Sequence, residues 1–183
     1  MELTKTIANS KILKIFLIAI LGSILLTISA KIKIPFYPVP MTMQTFVVLF
    51  LGIAFGYKVG VCSVLLYLIE GIFGLPVFSN SPEKGVGIVY FTGPTMGYLI
   101  GFIFACFLAG FFNYNNSFFK NLFKIVLSTS LIYIFGILWL VTLIGWDKPI
   151  LQFGLYPFLL AELFKILLIT LLINKVRNFR KII

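Results

Sequence analysis

The segment PILQFGLYPFLLAELFKILLITLLIN, Pro149 to Asn174, decides the fold class of this chain. It is apolar almost throughout, and its charged residues, Glu162 and Lys165, lie near its middle. An apolar run of this length is typical of a helix that crosses a membrane, which needs about 20 residues. Each charge at the centre of such a helix costs roughly 2.5–3.5 kcal/mol. The segment therefore predicts a transmembrane helix in which some interaction offsets the cost of burying an acid and a base.

The composition of the whole chain agrees with this interpretation. The 183 residues are 61% hydrophobic and 11% charged, whereas soluble domains have about 45–50% apolar and about 25% charged residues. We therefore expect an all-α integral membrane protein that forms one bilayer-embedded domain over residues 1–183. The net charge of +10 does not indicate nucleic-acid binding, because the basic residues are scattered between apolar runs. Histidine is absent and the two cysteines lie apart in apolar runs, so we predict no metal site and no cofactor.

The apolar runs predict six transmembrane helices, at approximately Ile12–Ala30, Met43–Phe55, Val59–Phe73, Gly97–Phe112, Leu122–Gly145 and Phe153–Ile173. The second and third are short for a full crossing, and a tight turn, Gly56 to Lys58, joins them. The first run has no clear small-residue cleavage site, so we expect a retained helix.

The basic residues predict that both termini are cytoplasmic. Of the 15 Lys and Arg residues, ten then lie inside, Lys165 lies within a span, and four lie outside, namely Lys31, Lys33, Lys84 and Lys148. This asymmetry agrees with the positive-inside rule.

Two connections on the predicted outer side have unusual sequences. KIPFYPVPMTMQTF, Lys33 to Phe46, is rich in proline, and GLPVFSNSPEKGVGIVYFTGPTMGY, Gly74 to Tyr98, is rich in Gly, Pro and Ser. Proline stiffens the chain and removes backbone donors, so the first loop is predicted to be a rigid, non-helical cap. Irregular backbone at membrane depth occurs only where it is buried in protein or lines a cavity. The loops therefore predict a pocket open to the outside, with ordinary external connectors as the alternative.

The spacing of Glu162 and Lys165 places both on one face of the last helix. One interpretation is an internal ion pair that locks helix packing. The other is that both face a cavity, where Lys165 would bind an anionic group and Glu162 would accept hydrogen bonds from N–H donors. Glu70 has two similar interpretations, a helix-end acid or part of the pocket wall. The aromatic residues that could contact a ligand from the loops are Phe36, Tyr37, Phe78 and Tyr98.

Small side chains recur every four residues in the first predicted helix, at Ala19, Ser23 and Thr27. Such a stripe lets another helix approach closely. It could pack within the protein or dock a partner subunit, and we use docking as the working hypothesis. Gly93, Gly97 and Gly101 repeat the spacing at the start of the fourth helix, where internal packing is the better interpretation.

Four motifs in the same order closely resemble the BioY family, the biotin-binding S-components of energy-coupling factor (ECF) transporters. They are KIPFYPVPMTMQTF, GLPVF, GPTMGYLIGF and PFLLAELFK, and they extend from about Ile34 to Lys165. The resemblance implies a six-helix protein of the bacterial cytoplasmic membrane that captures biotin from outside. It also implies a complex with a coupling transmembrane protein and two ATPase subunits. This chain has no G-x-x-x-x-G-K-[ST] phosphate loop, so it would be a transporter subunit and not an enzyme.

The resemblance also implies roles for individual residues. Glu162 and Lys165 match the family's Asp-x-x-Lys motif, whose two charged residues contact biotin, although Glu adds one methylene. Asn80 follows GLPVF where family members have polar ligand contacts. Gln44 matches a loop-to-helix glutamine that either lines the pocket or starts the helix. Met96 stands where many members have glycine, and the methionine side chain would add bulk beside the pocket.

The chemistry of biotin suits these residues. Its valerate carboxylate suits Lys165, and its ureido N–H groups suit an acceptor at Glu162 or Asn80. Two alternatives stay open: an S-component for another vitamin, and a solitary proton-linked carrier in which Glu162 is the proton site.

Overall fold

The chain is built mainly from helices. The computed structural model describes residues 2–35, 37–114 and 117–182. The α-helices are α1 (Glu2–Lys31), α2 (Gln44–Ile72), α3 (Met96–Phe111), α4 (Phe118–Ile144), α5 (Ile150–Gly154) and α6 (Leu159–Val176). Two short strands are β1 (Lys33–Ile34) and β2 (Met41–Thr42), and 3-10 turns cover Gly87–Thr92, Tyr156–Phe158 and Arg177–Ile182.

Four helical stretches of the described chain are long and apolar enough to cross a membrane. They are Lys11–Lys31, Gln44–Ile72, Phe118–Ile144 and Ile150–Lys181. Helix α3 is apolar but has 16 residues, and at about 1.5 Å per residue it extends roughly 24 Å, less than the ~30 Å hydrocarbon core. The membrane fold class predicted from the sequence is therefore confirmed at the level of an apolar helical bundle.

Helix α2 is a helical hairpin and not one rod. Gly56 has φ 75 and ψ 167, outside the helical region, and it divides α2 into a first arm (residues 44–55) and a second arm (residues 57–72). A Cβ on Gly60 would lie 3.1 Å from the Cα of Gly52, and Gln44 Nε2 donates to Tyr67 Oη at 2.7 Å. Residues equally distant from Gly56 are thus neighbours, so the arms are antiparallel. The predicted helices Met43–Phe55 and Val59–Phe73 correspond to these arms.

Contacts at the two ends of the bundle show the direction of each helix. At one end, which we call the turn end, Arg180 Nε donates to the Ile53 carbonyl and Arg180 Nη2 to the Gly110 carbonyl, both at 2.8 Å. At the other end, which we call the loop end, Lys31 Nζ donates to the Phe78 carbonyl at 2.7 Å. Successive helical segments therefore alternate in direction, and the C-terminal segment lies at the turn end.

Glycines let α3 approach its neighbours closely. A Cβ on Gly52, in the first arm of α2, would lie 2.4 Å from the Cys106 carbonyl, and a Cβ on Gly97 would lie 2.3 Å from the Phe135 carbonyl in α4. A Cβ on Gly101 would meet the Ile132 Cα at 2.6 Å. The prediction that Gly97 and Gly101 mediate internal packing is confirmed. Helix α3 is thus wedged between the α2 hairpin and α4, near the centre of the molecule.

The first connection is a small antiparallel ribbon at the loop end. Lys33 pairs with Thr42 and Ile34 with Met41, and the Tyr37–Pro38 peptide bond is cis. The Met43 amide donates to the Ile32 carbonyl at 3.3 Å, which closes the ribbon between the end of α1 and the start of α2. The described residues between α1 and α2 are not helical, as predicted for this proline-rich loop.

Candidate functional site

Glu162 and Lys165 form a buried ion pair in the first turns of α6. Their side chains are 6% and 5% exposed, respectively. The Lys165 ammonium donates to Glu162 Oε1, to Thr45 Oγ1 at 2.6 Å and to the Thr42 carbonyl at 2.9 Å. An ammonium has three donors, so these acceptors satisfy all of them. The pair therefore ties α6 to β2 and to the first arm of α2.

The Glu162 carboxylate is only half satisfied. Its Oε1 accepts from Lys165 and also from the Thr45 hydroxyl at 2.9 Å. Its Oε2 is buried and has no partner with hydrogen-bond geometry among the described residues, while the Tyr133 hydroxyl lies near enough to the carboxylate for a weak hydrogen-bonding interaction. A buried acceptor without a partner costs about 1–3 kcal/mol, and more when it is charged. Oε2 is thus available to an N–H donor.

Glu162 lines a narrow cavity of about 40 Å³ at the loop end of the bundle. The walls come from residues 39–42 of the first connection, α2, the second connection, α3, α4, the 3-10 turn before α6 and α6 itself. The lining residues are Val39, Pro40, Thr42, Thr45, Tyr67, Phe78, Ser79, Tyr90, Thr95, Tyr98, Leu99, Phe102, Ile132, Tyr133, Phe158 and Glu162. A mostly apolar and aromatic wall with a few polar groups is typical of small-molecule sites.

Aromatic rings form two sides of this cavity. The Phe78 ring stacks on Tyr90 at a centroid distance of 4.6 Å and meets the edge of Tyr67 at 5.3 Å. On the other side, Tyr98 and Tyr133 pack edge to face at 6.0 Å. The Tyr98 hydroxyl donates to the Gly154 carbonyl at 2.8 Å, which fixes its ring. The cavity therefore presents flat apolar surfaces beside a single carboxylate.

Two lysines fix the loop that carries Phe78. The Lys31 ammonium donates to the carbonyls of Phe78 and Ser81 at 2.7 and 2.8 Å. The Lys33 ammonium donates to the Ser79 carbonyl at 2.6 Å. The sequence predicted only that both lysines lie on the outer side of the membrane, and it predicted no contact for either. Their separation from Phe78 along the chain gives no signal of this contact.

Gln44 lies behind the wall and does not line the cavity. It is buried, and its Nε2 donates to Tyr67 Oη at 2.7 Å, while Tyr67 Oη donates to the Val77 carbonyl at 3.3 Å. Gln44 is therefore a positioning residue for Tyr67, which does line the cavity. The sequence offered two roles for Gln44, lining the pocket or starting the helix. Gln44 is the first residue of α2, and it affects the cavity only through Tyr67.

The remaining predicted ligand contacts fall in different places. Phe78 and Tyr98 line the cavity. Asn80 does not, and its Oδ1 accepts from Lys33 Nζ at 3.3 Å. Tyr37 is 80% exposed, with Lys84 Nζ 5.5 Å from its ring centroid. Phe36 lies outside the described residues.

The small-residue stripe of α1 faces the interior. Ala19 and Ser23 are buried, the Ser23 hydroxyl donates to Glu70 Oε2, and the Thr27 hydroxyl donates to the Ser23 carbonyl at 3.0 Å. This geometry favours the internal packing that the sequence left open, because buried atoms are not free to bind a partner. Glu70 is partly buried between α1 and α2 and is not among the cavity-lining residues.

Sequence reasoning missed several residues of the site. Thr45, Tyr67, Tyr90 and Tyr133 all line the cavity but were not predicted as contacts. Thr45 lies next to Gln44 in the quoted proline-rich motif, so its position was a usable signal. Tyr67 and Tyr133 lie in apolar runs, where one aromatic residue cannot be distinguished from another without the helix packing. Tyr90 lies in the second connection, where no sequence signal separates it from its neighbours. Among the described residues, no group of three or more His, Cys, Asp or Glu could bind a metal ion.

The sequence of the whole chain matches a known family. A model of the BioY family covers residues 4–181. The chain belongs to the BioY family. A probable biotin transporter BioY from Pyrococcus horikoshii is 34% identical over 141 residues, which are 77% of this chain and 82% of the relative. The biotin transporter BioY of Thermotoga maritima is 34% identical over 155 residues, or 84% and 90% of the two chains.

A solved structure has the same architecture. The crystal structure of the S-component for biotin from an ECF-type ABC transporter superposes with a TM-score of 0.77 and 25% sequence identity. The alignment covers 93% of this chain and 94% of that one. The bundle described above is therefore the fold of an ECF S-component, and the BioY resemblance seen in the motifs is confirmed over nearly the full length.

Proposed function

We propose that this chain is the biotin-binding S-component of an ECF-type vitamin transporter. The observation that carries the proposal is the buried Glu162 carboxylate in an aromatic cavity, where Oε2 has no partner with hydrogen-bond geometry in the described part of the chain. The names of its relatives in the family and of its structural neighbour support biotin as the ligand. The ureido group of biotin offers N–H donors, and the fused rings of biotin suit the flat walls formed by Phe78 and Tyr98.

In this proposal the two charged residues have different roles. Glu162 Oε2 accepts an N–H of the ligand, because Oε1 is already used by Lys165 and Thr45. Lys165 keeps the carboxylate oriented through its contact with Oε1. The ammonium reaches a ligand carboxylate only by exchanging one present acceptor, such as the Thr42 carbonyl. Asn80 and Tyr37 contribute to binding only if their loops move, since neither side chain lines the cavity.

Binding also requires the cavity to widen. Its volume of about 40 Å³ is far below the roughly 300–1,000 Å³ that is typical of pockets for small-molecule ligands. Backbone hydrogen bonds within each helix keep the helical walls rigid. The connection that carries Phe78 and Ser79 is not helical. We propose that this connection moves outward to admit the ligand.

We further propose that six helical segments cross the cytoplasmic membrane, with both termini inside. The arms of α2 count as two segments because they are antiparallel, and α1, α3, α4 and α6 supply the others. The loop end then faces outward and the basic turn end inward, in agreement with the positive-inside rule. The chain delivers biotin inward together with a coupling transmembrane protein and two ATPase subunits, which supply the ATP hydrolysis.

Equilibrium biotin binding to the purified chain in detergent tests this function. We expect saturable binding by the wild type and at least a roughly tenfold weaker affinity for Glu162→Gln, since a hydrogen bond to a charged group contributes about 1.5–3 kcal/mol. Asp147→Asn is the matched control, because that carboxylate is exposed and does not line the cavity. Lys165→Ala is expected to abolish tight binding.

The contrary outcomes separate the alternatives. A folded wild-type chain that binds no biotin would contradict the proposed ligand, and competition by other unlabelled vitamins would then identify another S-component specificity. Met96 does not favour that alternative, because it is not among the residues that line the cavity. Uptake in cells that survives ATP depletion but stops with the proton gradient would instead indicate a solitary carrier.

A further inference from the structure

The loop of residues 78–83 is attached to the end of α1 by two ammonium groups. Lys31 donates to the carbonyls of Phe78 and Ser81, and Lys33 donates to the Ser79 carbonyl and the Asn80 side chain. The backbone distances are 2.6–2.8 Å, in the range of strong charge-assisted hydrogen bonds. The loop therefore depends on residues far away in the chain for its position.

The same loop forms a wall of the cavity. Phe78 and Ser79 line it, and the Phe78 ring is almost fully buried between Tyr90 and the second arm of α2, where a Cβ on Gly71 would lie 2.0 Å from the ring. Lys31 binds the carbonyl of Phe78, and the ring of the same residue forms part of the cavity wall. Displacing the loop therefore requires breaking the lysine contacts and withdrawing the Phe78 ring together.

We propose that Lys31 and Lys33 form a latch that closes the 78–83 loop over the bound ligand. They are positioning residues that act through Phe78 and Ser79, and they set the rate at which the ligand leaves. This inference rests on the proposed function. The latch also joins the ligand cavity to α1, because Lys31 is the last residue of that helix. A shift of α1 along its axis would move the two lysines relative to the loop.

Ligand exchange rates test the latch. We expect Lys31→Met and Lys33→Met each to raise the biotin dissociation rate roughly tenfold or more, because charge-assisted hydrogen bonds are worth about that factor. The association rate should rise as well, because the same contacts hold the loop in the ligand-free protein and the loop has to open before the ligand enters. Lys31→Arg retains the charge and the donors, so it should restore slow dissociation. Lys84→Met is the matched control, since Lys84 is an exposed lysine of the same connection whose ammonium lies over the Tyr37 ring.

A second measurement does not depend on the ligand. Hydrogen–deuterium exchange of the amides in residues 79–85, without biotin, should accelerate in Lys31→Met and Lys33→Met and stay at the wild-type rate in Lys84→Met. Unchanged exchange and unchanged dissociation would overturn the latch. If the folded wild type binds no biotin, the proposed function fails, and the exchange measurement alone then supports or overturns the latch. Should Lys31→Met fail to fold, Lys33→Met and Lys31→Arg carry the test.

Discussion

At the scale of single residues, the Glu162–Lys165 pair uses different atoms for its contacts within the protein and for the proposed ligand contact. The Lys165 donors and Glu162 Oε1 are used within the protein, joining α6 to Thr42 and Thr45. Glu162 Oε2 is buried without a partner among the described residues. The two interpretations of the pair in the sequence, a structural ion pair and a ligand site, are therefore compatible.

The pair predicts a non-additive response to substitution. Lys165→Met leaves the Glu162 charge uncompensated in a buried site, which costs about 3–5 kcal/mol of the free energy of unfolding when one partner of a buried pair is removed. The double variant Glu162→Gln/Lys165→Met removes both charges and should be more stable than Lys165→Met alone. Thermal unfolding of each purified variant in detergent measures this difference.

Asp147→Asn/Lys148→Gln provides the comparison, because that pair is separated by 3.5 Å and its side chains are 74% and 58% exposed. Exposed pairs contribute about 0–1 kcal/mol, so its cycle should be nearly additive. Strictly additive effects at Glu162 and Lys165 would show that the two side chains do not depend on each other in the folded protein.

At the scale of secondary structure, the Gly56 turn determines how many times α2 can cross the bilayer. The apolar run on both sides of it is continuous in composition, and the stretch Gln44–Ile72 alone would be long enough for one straight helix. The conformation at Gly56, with φ 75 and ψ 167, is one that essentially only glycine adopts. The packing of Gly52 against Gly60 then stabilises the antiparallel arms.

We predict that Gly56→Ala destabilises the protein although there is space for the side chain. No atom lies within 4 Å of a Cβ built there, so the expected loss of about 1–3 kcal/mol in the free energy of unfolding comes from the backbone conformation alone. Thermal unfolding in detergent measures it. Lys58→Ala, two residues further in the second arm, is the control and should have little effect. Equal stability of the two variants would contradict the positive φ at Gly56.

At the scale of the whole molecule, the helices separate the basic turn end from the loop end, where the cavity lies. Arg177 and Arg180 lie at the turn end and donate to carbonyls of Tyr114, Ile53 and Gly110. The cavity and both irregular connections lie at the loop end. This polarity agrees with a protein that receives its ligand on one side of the membrane and interacts with energising subunits on the other.

Cysteine labelling tests this arrangement. In a background where Cys62 and Cys106 are replaced by alanine, Lys84→Cys and Lys148→Cys should react with a membrane-impermeant maleimide in intact cells. Lys58→Cys should react only after permeabilisation, because the Gly56 turn is predicted to face the cytoplasm. Labelling of Lys58→Cys from outside would contradict the antiparallel crossing of the α2 arms. Mass spectrometry of the labelled chain provides the readout.

Much of the architecture follows from the sequence because it depends on local properties. The apolar runs determine a membrane bundle, the small residues at Gly97 and Gly101 indicate close helix packing, and the proline-rich motif rules out a helix between α1 and α2. The Glu162–Lys165 spacing determines that both charges share one face of α6. Such features need only periodicity, side-chain size and the energetics of burial in lipid.

The tertiary structure alone decided which residues meet across the bundle. The Ala19–Ser23 face turned inward because the second arm of α2 lies against it, and Asn80 turned toward Lys33 instead of the cavity. Thr45 joined the ion pair from 117 residues away along the chain, and Lys31 reached the Phe78 carbonyl 47 residues away. Contacts over such separations depend on how helices are oriented around one another. No local pattern encodes that orientation, because it is fixed only when all the apolar faces pack together.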